Sequence, residues 1–277
     1  TMIRRILAAT DGSEASMAAV RYASLLAKKH GAAMTLLYVV DIKLLEGPVV
    51  RDLSSSLGSV PFMNYQGIIS RLLEDRGEEA LKKTGALCSN EGISTEILLR
   101  TGLVHRVIVE HAHLADLIVM GRSGEHTPFL EGLMGSTTEA VVRRAPIPVL
   151  IVSGKVSDSE TMVVAYDGSR QAKKALRFAA ELAEHEKRPL QLLAVGDEAA
   201  EAWLNEARDY LHAHPNAESY TQRSGEPETE ILRFVEEQNA GLLVMGAYGR
   251  GKLYELVLGS TTSHVLNHAN CPVLLVR

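Results

Sequence analysis

Residues 115–124 read ADLIVMGRSG and residues 240–249 read AGLLVMGAYG, two apolar runs that each end in a pair of glycines. Downstream of them, GSTTEAVVRRAPIPVLIV (135–152) is matched by GSTTSHVLNHANCPVLLV (259–276). Upstream, Asp-Gly-Ser occurs at 11–13 and again at 167–169. Blocks that recur in the same order indicate a duplicated unit. The sequence therefore predicts two copies of one domain, 1–153 and 160–277, joined by a short polar segment.

The two copies differ in length. The offset between matched blocks falls from 156 residues at Asp-Gly-Ser to 124 at Gly-Ser-Thr-Thr, so the first copy has about 32 additional residues. They fall around Ile42–Asn64 and in a longer helix that follows. Within them, Gly47–Val60 is rich in Gly, Pro and Ser, which predicts an irregular loop. Such a loop is compatible with a flap, with an interface, or with a plain surface excursion.

Apolar runs of strand length alternate with helical patterns in each copy. In the first copy, strands are predicted at Ile3–Ala9, Met34–Val40, Thr95–Leu99, Leu117–Met120 and Val149–Val152. Helices are predicted at Ser13–Lys29, Ile68–Ser89, Val104–Ala115 and Ser136–Arg144. Runs such as LLYVV have no polar face, which is typical of parallel strands covered on both sides. The predicted fold class is α/β: two tandem doubly wound, Rossmann-like domains, each a five-stranded, mostly parallel sheet with helices on both faces.

Composition narrows the class of protein. The chain has 277 residues, of which 46% are hydrophobic, enough for packed cores. A formal net charge of −5 and a pI near 6.1 give no basic character, so we expect neither nucleic acid nor a membrane as partner. Two distant cysteines, Cys88 and Cys271, suit a reducing compartment. Asp11 ends the first apolar run too early for a secretory signal, so we expect a cytoplasmic protein.

The segment that carries chemistry is a glycine pair followed by a helix start. In the first copy, ten residues separate Gly121-Arg-Ser-Gly124 from Gly135-Ser-Thr-Thr138; in the second, nine separate Gly246-Ala-Tyr-Gly249 from Gly259-Ser-Thr-Thr262. Glycine lets a ligand approach the backbone, and free amides at a helix start form an anion site. The alternative for each loop is an N-cap and a tight turn without a ligand. Two such loops after matching strands favour a nucleotide.

With this pattern the chain resembles a tandem member of the universal stress protein family, over essentially all of both halves. Nucleotide-binding members of that family carry Gly-x2-Gly-x9-Gly-Ser/Thr, which the second copy fits. The first copy has one residue more between its second and third glycines, which must be absorbed in Glu125–Met134. The resemblance implies ATP as the cofactor, with or without Mg²⁺, at one site per repeat.

The resemblance also implies roles for residues at the ends of strands. Asp11 and Asp167 would contact the ribose or, in some members, a metal; alternatively, each caps the helix that follows. Tyr166 stands where the family has a small polar residue. Val39 and Val195 would offer backbone groups to the adenine, with core packing as the alternative.

The glycine loops complete the expected sites. Met120 and Met245 precede the glycines, where the family also contacts nucleotide, although core packing explains them equally well. Arg122, Arg250 and Lys252 lie near the loops and either meet phosphate or remain solvated surface charges. The cofactor-binding residues expected in the first copy are Ala9, Thr10, Asp11, Val39, Met120, Gly121, Arg122, Gly124, Gly135, Ser136 and Thr137. Those expected in the second copy are Ala165, Tyr166, Asp167, Val195, Met245, Gly246, Ala247, Gly249, Gly259, Ser260 and Thr261.

These sites predict binding rather than catalysis. No residue clearly orients an attacking water or acts as a general base, so we assign no catalytic residue and no protein metal site. We expect an ATP-binding regulatory protein of the stress response. Two alternatives remain open: a slow Mg-dependent ATPase, and an interaction module that binds no nucleotide.

The last strand of each copy predicts how the copies meet. Pro148–Val152 and Pro272–Val276 are short, apolar and begin with proline, as strands at sheet edges do. The family forms domain dimers through this strand. We therefore expect the two repeats to pack on each other as an internal dimer, compatible with a further homodimer and with a protein partner of unknown identity.

Overall fold

Strands and helices alternate along most of the chain. The computed structural model describes residues 3–46, 62–124, 134–153, 158–247 and 258–277. The strands are β1 (Arg5–Ala9), β2 (Ala33–Asp41), β3 (Thr95–Gly102), β4 (Leu117–Gly121), β5 (Val149–Val152), β6 (Met162–Ala165), β7 (Leu190–Val195), β8 (Ala217–Arg223), β9 (Leu242–Gly246) and β10 (Val273–Val276). The helices within these residues are α1 (Glu14–His30), α2 (Ile42–Glu46), α3 (Phe62–Asn90), α4 (Val104–Ala112), α5 (Ser136–Arg144), α6 (Arg170–Glu186), α7 (Glu198–Leu211), α8 (Pro227–Glu237) and α9 (Ser260–His268).

The ten strands form a continuous sheet in the order β3-β2-β1-β4-β5-β10-β9-β6-β7-β8. Neighbouring strands are parallel within each half, and the pair β5–β10 that joins the halves is antiparallel. In each half the strand order reverses between the first and fourth strands, which opens a crevice at their carboxyl ends. The predicted tandem Rossmann-like fold is confirmed, with the two five-stranded sheets fused into one.

The join between the halves has a symmetric register. Leu150 lies opposite Leu274, which is its counterpart in the other repeat, and Val149 and Ile151 lie opposite Leu275 and Val273. The predicted pairing of the last strands is therefore present. All eight residues of β5 and β10 are buried, so the join belongs to the core.

Each face of the sheet is covered by helices. Successive residues of β1 point to opposite sides, so Ile6 and Ala8 belong to one buried cluster, and Leu7 and Ala9 to another. The first cluster includes side chains of α1 and α6, and the second includes side chains of α4, α5, α8 and α9. Burial on both faces explains why these strands lack a polar side.

The first helix of each half begins and ends in the same way. Ser13 and Ser169 are the N-caps, and each hydroxyl accepts a hydrogen bond from the amide three residues on (3.2 and 3.1 Å). Gly31 ends α1 with a φ of 62°, in the left-handed region that glycine adopts at no steric cost. Lys187 takes the matching place after α6 with a φ of 56°, where its side chain disfavours that conformation.

The predicted elements are present with shifted ends. β1 begins at Arg5 rather than Ile3, and β3 runs on to Gly102. The longer helix expected in the first copy is α3, with 29 residues against 14 in α7. The predicted loop Gly47–Val60 lies outside the described residues. None of the described helices combines the length and apolar character that crossing a membrane requires.

Candidate functional site

A cavity of about 260 Å³ opens at the carboxyl ends of β1, β2 and β4. We call it the first pocket. It is lined by strand ends, by the glycine loop and by the start of α5, and it includes ten residues predicted from the sequence: Ala9, Thr10, Asp11, Val39, Met120, Gly121, Gly124, Gly135, Ser136 and Thr137. These residues come from distant parts of the chain, so the fold brings the predicted set together.

The two glycine turns of the first pocket are held against each other. The amide of Gly135 donates to the carbonyl of Arg122 (2.9 Å), and a Cβ on Gly135 would lie 3.6 Å from the amide nitrogen of Gly124. Gly135 is the N-cap of α5 and has no side chain with which to cap the first turn. The hydroxyl of Thr138 donates to the carbonyl of Gly121 (3.0 Å) and ties the helix start to the end of β4.

The aspartates at the strand ends hold a turn and also face the pockets. Asp11 Oδ1 accepts from the amide of Ser13 (3.0 Å), and Asp167 Oδ1 accepts from the amide of Ser169 (2.9 Å). Each aspartate therefore stabilises the turn, but the N-cap of the helix that follows is Ser13 or Ser169. Asp11 Oδ2 lies against the glycine loop, where it would be 2.7 Å from a Cβ on Gly124. The carboxyl group thus supports the local backbone and lines the cavity.

Packing alone accounts for part of the glycine pattern. A Cβ on Gly121 or on Gly246 would come within 2.9 Å of the backbone of α1 or α6 respectively, so each glycine lets a helix pack closely on a strand end. Met120 and Met245 are 5% exposed and belong to the buried core, as the packing alternative requires. Both methionines also line the pockets.

Arg122 lies elsewhere than predicted. Its Nη1 donates to the carbonyl of Asn267 (3.0 Å) and lies 3.4 Å from that of Ala269, at the end of α9 in the other half. A cation at the carbonyl end of a helix is favourable. Arg277 makes the matching contact with the carbonyl of Arg143 at the end of α5 (3.4 Å). We therefore withdraw Arg122 as a phosphate ligand.

The second half has a cavity of about 310 Å³ in the corresponding place, which we call the second pocket. It is lined by seven of the predicted residues: Ala165, Tyr166, Asp167, Val195, Met245, Gly246 and Thr261. Three others, Ala247, Gly259 and Ser260, are described but lie outside the lining. Gly249, Arg250 and Lys252 lie outside the described residues.

The long helix between the second and third strands of each half provides a wall that the sequence analysis missed. α3 contributes Arg76 to the first pocket, and α7 contributes Trp203 to the second. Burial raises the pKa of Tyr38, which also lines the first pocket, and the positive charge of Arg76 opposes that rise. These helices differ in length between the copies, so the repeat could not align Arg76 and Trp203 with each other.

The helix after the third strand provides another missed wall. Val104 and Ile108 line the first pocket, and Pro227 and Ile231 line the second. In both halves the two residues are four apart, on one face of a helix. This spacing, together with the isoleucine that both copies carry, could have identified these lining residues from the sequence.

Tyr166 changes the floor of the second pocket. It replaces Thr10 of the first pocket and is 3% exposed. Burial, with the nearby acidic groups of Glu206 and Asp167, raises the pKa of its hydroxyl to about 12. Tyr166 therefore stays protonated and uncharged at neutral pH.

Comparison with known proteins shows the family of the chain. The sequence model of the Universal stress protein family matches residues 2–153 and 159–277. The chain belongs to this family.

Its relatives include a universal stress protein of Synechocystis sp., 29% identical over 287 residues, which cover 99% of this chain and 100% of the relative. The solved structure of a universal stress protein from Archaeoglobus fulgidus has a TM-score of 0.78 at 24% identity, covering 99% of this chain and 98% of its own. A universal stress protein solved in complex with cAMP is 23% identical, covers 56% of this chain and 100% of its own, and has a TM-score of 0.40.

Proposed function

We propose that the first pocket binds an adenine nucleotide, ATP in the first place, and that the protein is a nucleotide-dependent regulator of the stress response rather than a dedicated catalyst. The observation that carries this proposal is the start of α5. Gly135 leaves the amides of the first helical turn without a side-chain cap, and Ser136 and Thr137 line the cavity beside them. Amides, hydroxyls and the helix dipole together form a site for phosphate.

The rest of the first pocket suits the other parts of a nucleotide. Arg76 adds a cation that matches phosphate oxygens. Val104, Ile108 and Met120 form an apolar wall for a planar base. Polar groups on one side and apolar groups on the other would fix the orientation of the ligand.

A magnesium ion carried by ATP also fits this pocket. Mg²⁺ in such sites keeps several waters and binds one or two carboxylates plus the phosphates. Asp11 lies against the glycine loop with its second oxygen and would be the protein ligand. The ion would neutralise part of the phosphate charge, and the main chain would still hold the phosphates.

Contacts across the join suggest how binding at the first pocket would be transmitted. Gly135 is hydrogen-bonded to Arg122, and Arg122 caps α9 of the other half. The amide of Met134, next to Gly135, donates to Asn267 Oδ1 (2.7 Å). A ligand that holds the glycine loop therefore also favours one arrangement of the join. By linkage, a ligand at 100 times its Kd stabilises the state that binds it by about 2.7 kcal/mol.

Two measurements test the proposal. Mass spectrometry of gently purified protein should identify a released adenine nucleotide. Calorimetric titration should then show Arg76→Gln weakening ATP binding about 10-fold, since a charged hydrogen bond is lost. Arg71→Gln, an exposed arginine on the same helix, is the control and should leave the affinity unchanged. A flat titration of the wild-type protein with all adenine nucleotides would overturn the proposal.

A slow Mg-dependent ATPase is the second candidate, and the position of Asp11 beside Gly124 favours it. Asp11→Asn tests it, because the amide oxygen can still accept from Ser13 and keep the turn. Regulation by binding predicts negligible turnover in both proteins. Turnover that is measurable in the wild type and lost in Asp11→Asn, with ATP affinity retained, would establish the ATPase instead.

A further inference from the structure

An acidic group of the protein itself contacts the helix start beside the second pocket. The hydroxyl of Thr261, in the first turn of α9, donates to Glu228 Oε2 (3.2 Å). Glu228 is half-buried in the first turn of α8. Its carboxylate thus lies where the amides and dipole of α9 attract an anion. A phosphate placed there would meet a negative charge instead of an open helix start.

The first half has an uncharged group at the matching position of its helix. Ile108 and Ile231 line the two pockets at corresponding places, and counting back three residues from each pairs His105 with Glu228. Burial, helped by the positive charge of Arg144, lowers the pKa of His105. The histidine is therefore neutral at pH 7 and does not repel phosphate.

The walls formed by α3 and α7 also differ in charge, and again the second pocket suits phosphate less well. Among the described residues that line the second pocket, Asp167 is the charged one, and the cation that Arg76 gives to the first pocket has no counterpart. Trp203 lies on the wall of the second pocket that corresponds to the wall with Arg76. A Cβ on Gly168 would lie 2.7 Å from Trp203 Cδ1, so this glycine lets the indole pack close to the backbone. A planar indole suits stacking on an aromatic ring.

We propose that the second pocket binds an uncharged nucleoside and rejects its polyphosphate, and that Glu228 determines this selectivity. The base would stack on Trp203, and the sugar hydroxyls would donate to acidic oxygens, which only accept hydrogen bonds. Triphosphate oxygens cannot donate, so they would be repelled by the same group. The inference rests on the proposed function in one respect: the phosphate-binding arrangement of the first pocket is the reference from which the second departs.

The chain contains a single tryptophan, Trp203, which lines the second pocket, so its fluorescence reports directly on that pocket. Calorimetry of the full-length protein reports on both pockets. Adenosine should change the Trp203 fluorescence of the wild-type protein, while ATP should leave it unchanged at concentrations that saturate the calorimetric site. In Glu228→Gln, ATP should change the fluorescence with an affinity at least 10-fold higher than in the wild type, or about 1.4 kcal/mol. Glu226→Gln, an exposed residue just before α8, should behave as the wild type.

Three results would overturn this inference. In the first, ATP and adenosine change the wild-type fluorescence with equal affinity. In the second, adenosine leaves the fluorescence unchanged and equilibrium dialysis counts no second ligand per chain. In the third, Glu228→Gln binds ATP no more tightly than the wild type does. Circular dichroism confirms that each variant is folded. If ATP gives no heat in any protein while adenosine still changes the fluorescence, the proposed function of the first pocket fails and the second-pocket inference stands.

Discussion

The two halves of this protein have nearly the same backbone and different pocket walls. Their five strands pair in the same order, and the aspartate turns match to within 0.1 Å in hydrogen-bond length. The walls carry Arg76 in one half and Trp203 in the other, and beside the second pocket Glu228 accepts a hydrogen bond from Thr261. The strand ends create a cleft in both halves, and the helices on either side of the third strand give the two clefts different walls. We propose that these walls determine which ligand each cleft accepts.

The largest expected change in stability concerns the β5–β10 join, to which both halves contribute equivalent residues. Val149 and Val273 are each 2% exposed and occupy equivalent places in the join. Replacing either with lysine buries an unpaired charge, so we expect a loss of about 3 kcal/mol or more in the free energy of unfolding, similar for both. Denaturant titration measures it. Ile97→Lys, at a residue 49% exposed on the outer strand β3, should cost less than about 0.5 kcal/mol. A Val149→Lys variant with the wild-type free energy of unfolding would contradict the burial of the join.

The next effect tests a place where equivalent positions have diverged. His30 and Glu186, 156 residues apart like Asp11 and Asp167, meet across the join with Nε2 3.0 Å from Oε1, and both side chains are buried. Burial alone would raise the pKa of Glu186; the hydrogen bond from His30 and the charge of Arg188 outweigh it, and the pKa is lowered.

A carboxyl group with a lowered pKa stabilises the fold above its unfolded pKa, and this contribution is lost as the pH falls. Glu186→Gln should therefore cost about 2–4 kcal/mol at pH 7, and the difference from the wild type should shrink below about pH 5. Thermal unfolding at several pH values measures this difference. Glu184→Gln, 55% exposed, is the control with a small effect. A difference that is independent of pH would show that the charge of Glu186 contributes nothing.

Helix capping across the join gives a smaller effect. Arg122 Nη1 lies 3.0 Å from the carbonyl of Asn267 at the end of α9, whereas Arg277 Nη1 lies 3.4 Å from the carbonyl of Arg143 at the end of α5. Arg122→Ala should lower the free energy of unfolding by about 1–2 kcal/mol, and Arg277→Ala by less. Hydrogen exchange of the last turn of α9 would localise the change. Equal effects of the two variants would argue against this asymmetry.

The smallest effect concerns the left-handed caps. Lys187→Gly should raise the free energy of unfolding by about 0.5–1 kcal/mol, because glycine adopts a positive φ without a steric cost. Gly31→Lys should lower it by a similar amount. Thermal unfolding of both variants checks the sign. A stabilising Gly31→Lys would contradict the assigned backbone conformation.

The sequence predicts most of the fold, because periodicity and duplication act on the same elements. Strand ends and glycine turns, such as Asp11 and Gly135, were found because both copies carry them. Arg76 and Trp203 were missed because they lie on helices of unequal length, where the repeat gives no alignment. In the sequence, Glu228 resembles the other acidic residues around it, and only its hydrogen bond with Thr261 in the structure distinguishes it from them.

The position of Arg122 shows a second limit. Next to a glycine loop, an arginine is a reasonable phosphate ligand on local grounds. Its actual partners, such as Asn267, lie about 145 residues away and are brought near by the β5–β10 join. Contacts that depend on how two repeats associate are not encoded in local spacing.

Titration of ATP into Thr137→Glu tests whether the start of α5 holds phosphate. Thr137 lines the first pocket in the first helical turn, where a glutamate favours the helix and keeps the variant folded. We predict that Thr137→Glu weakens ATP binding about 100-fold while adenosine binds nearly as before, and that Thr137→Gln stays close to the wild type. ATP binding to Thr137→Glu with wild-type affinity would contradict the account.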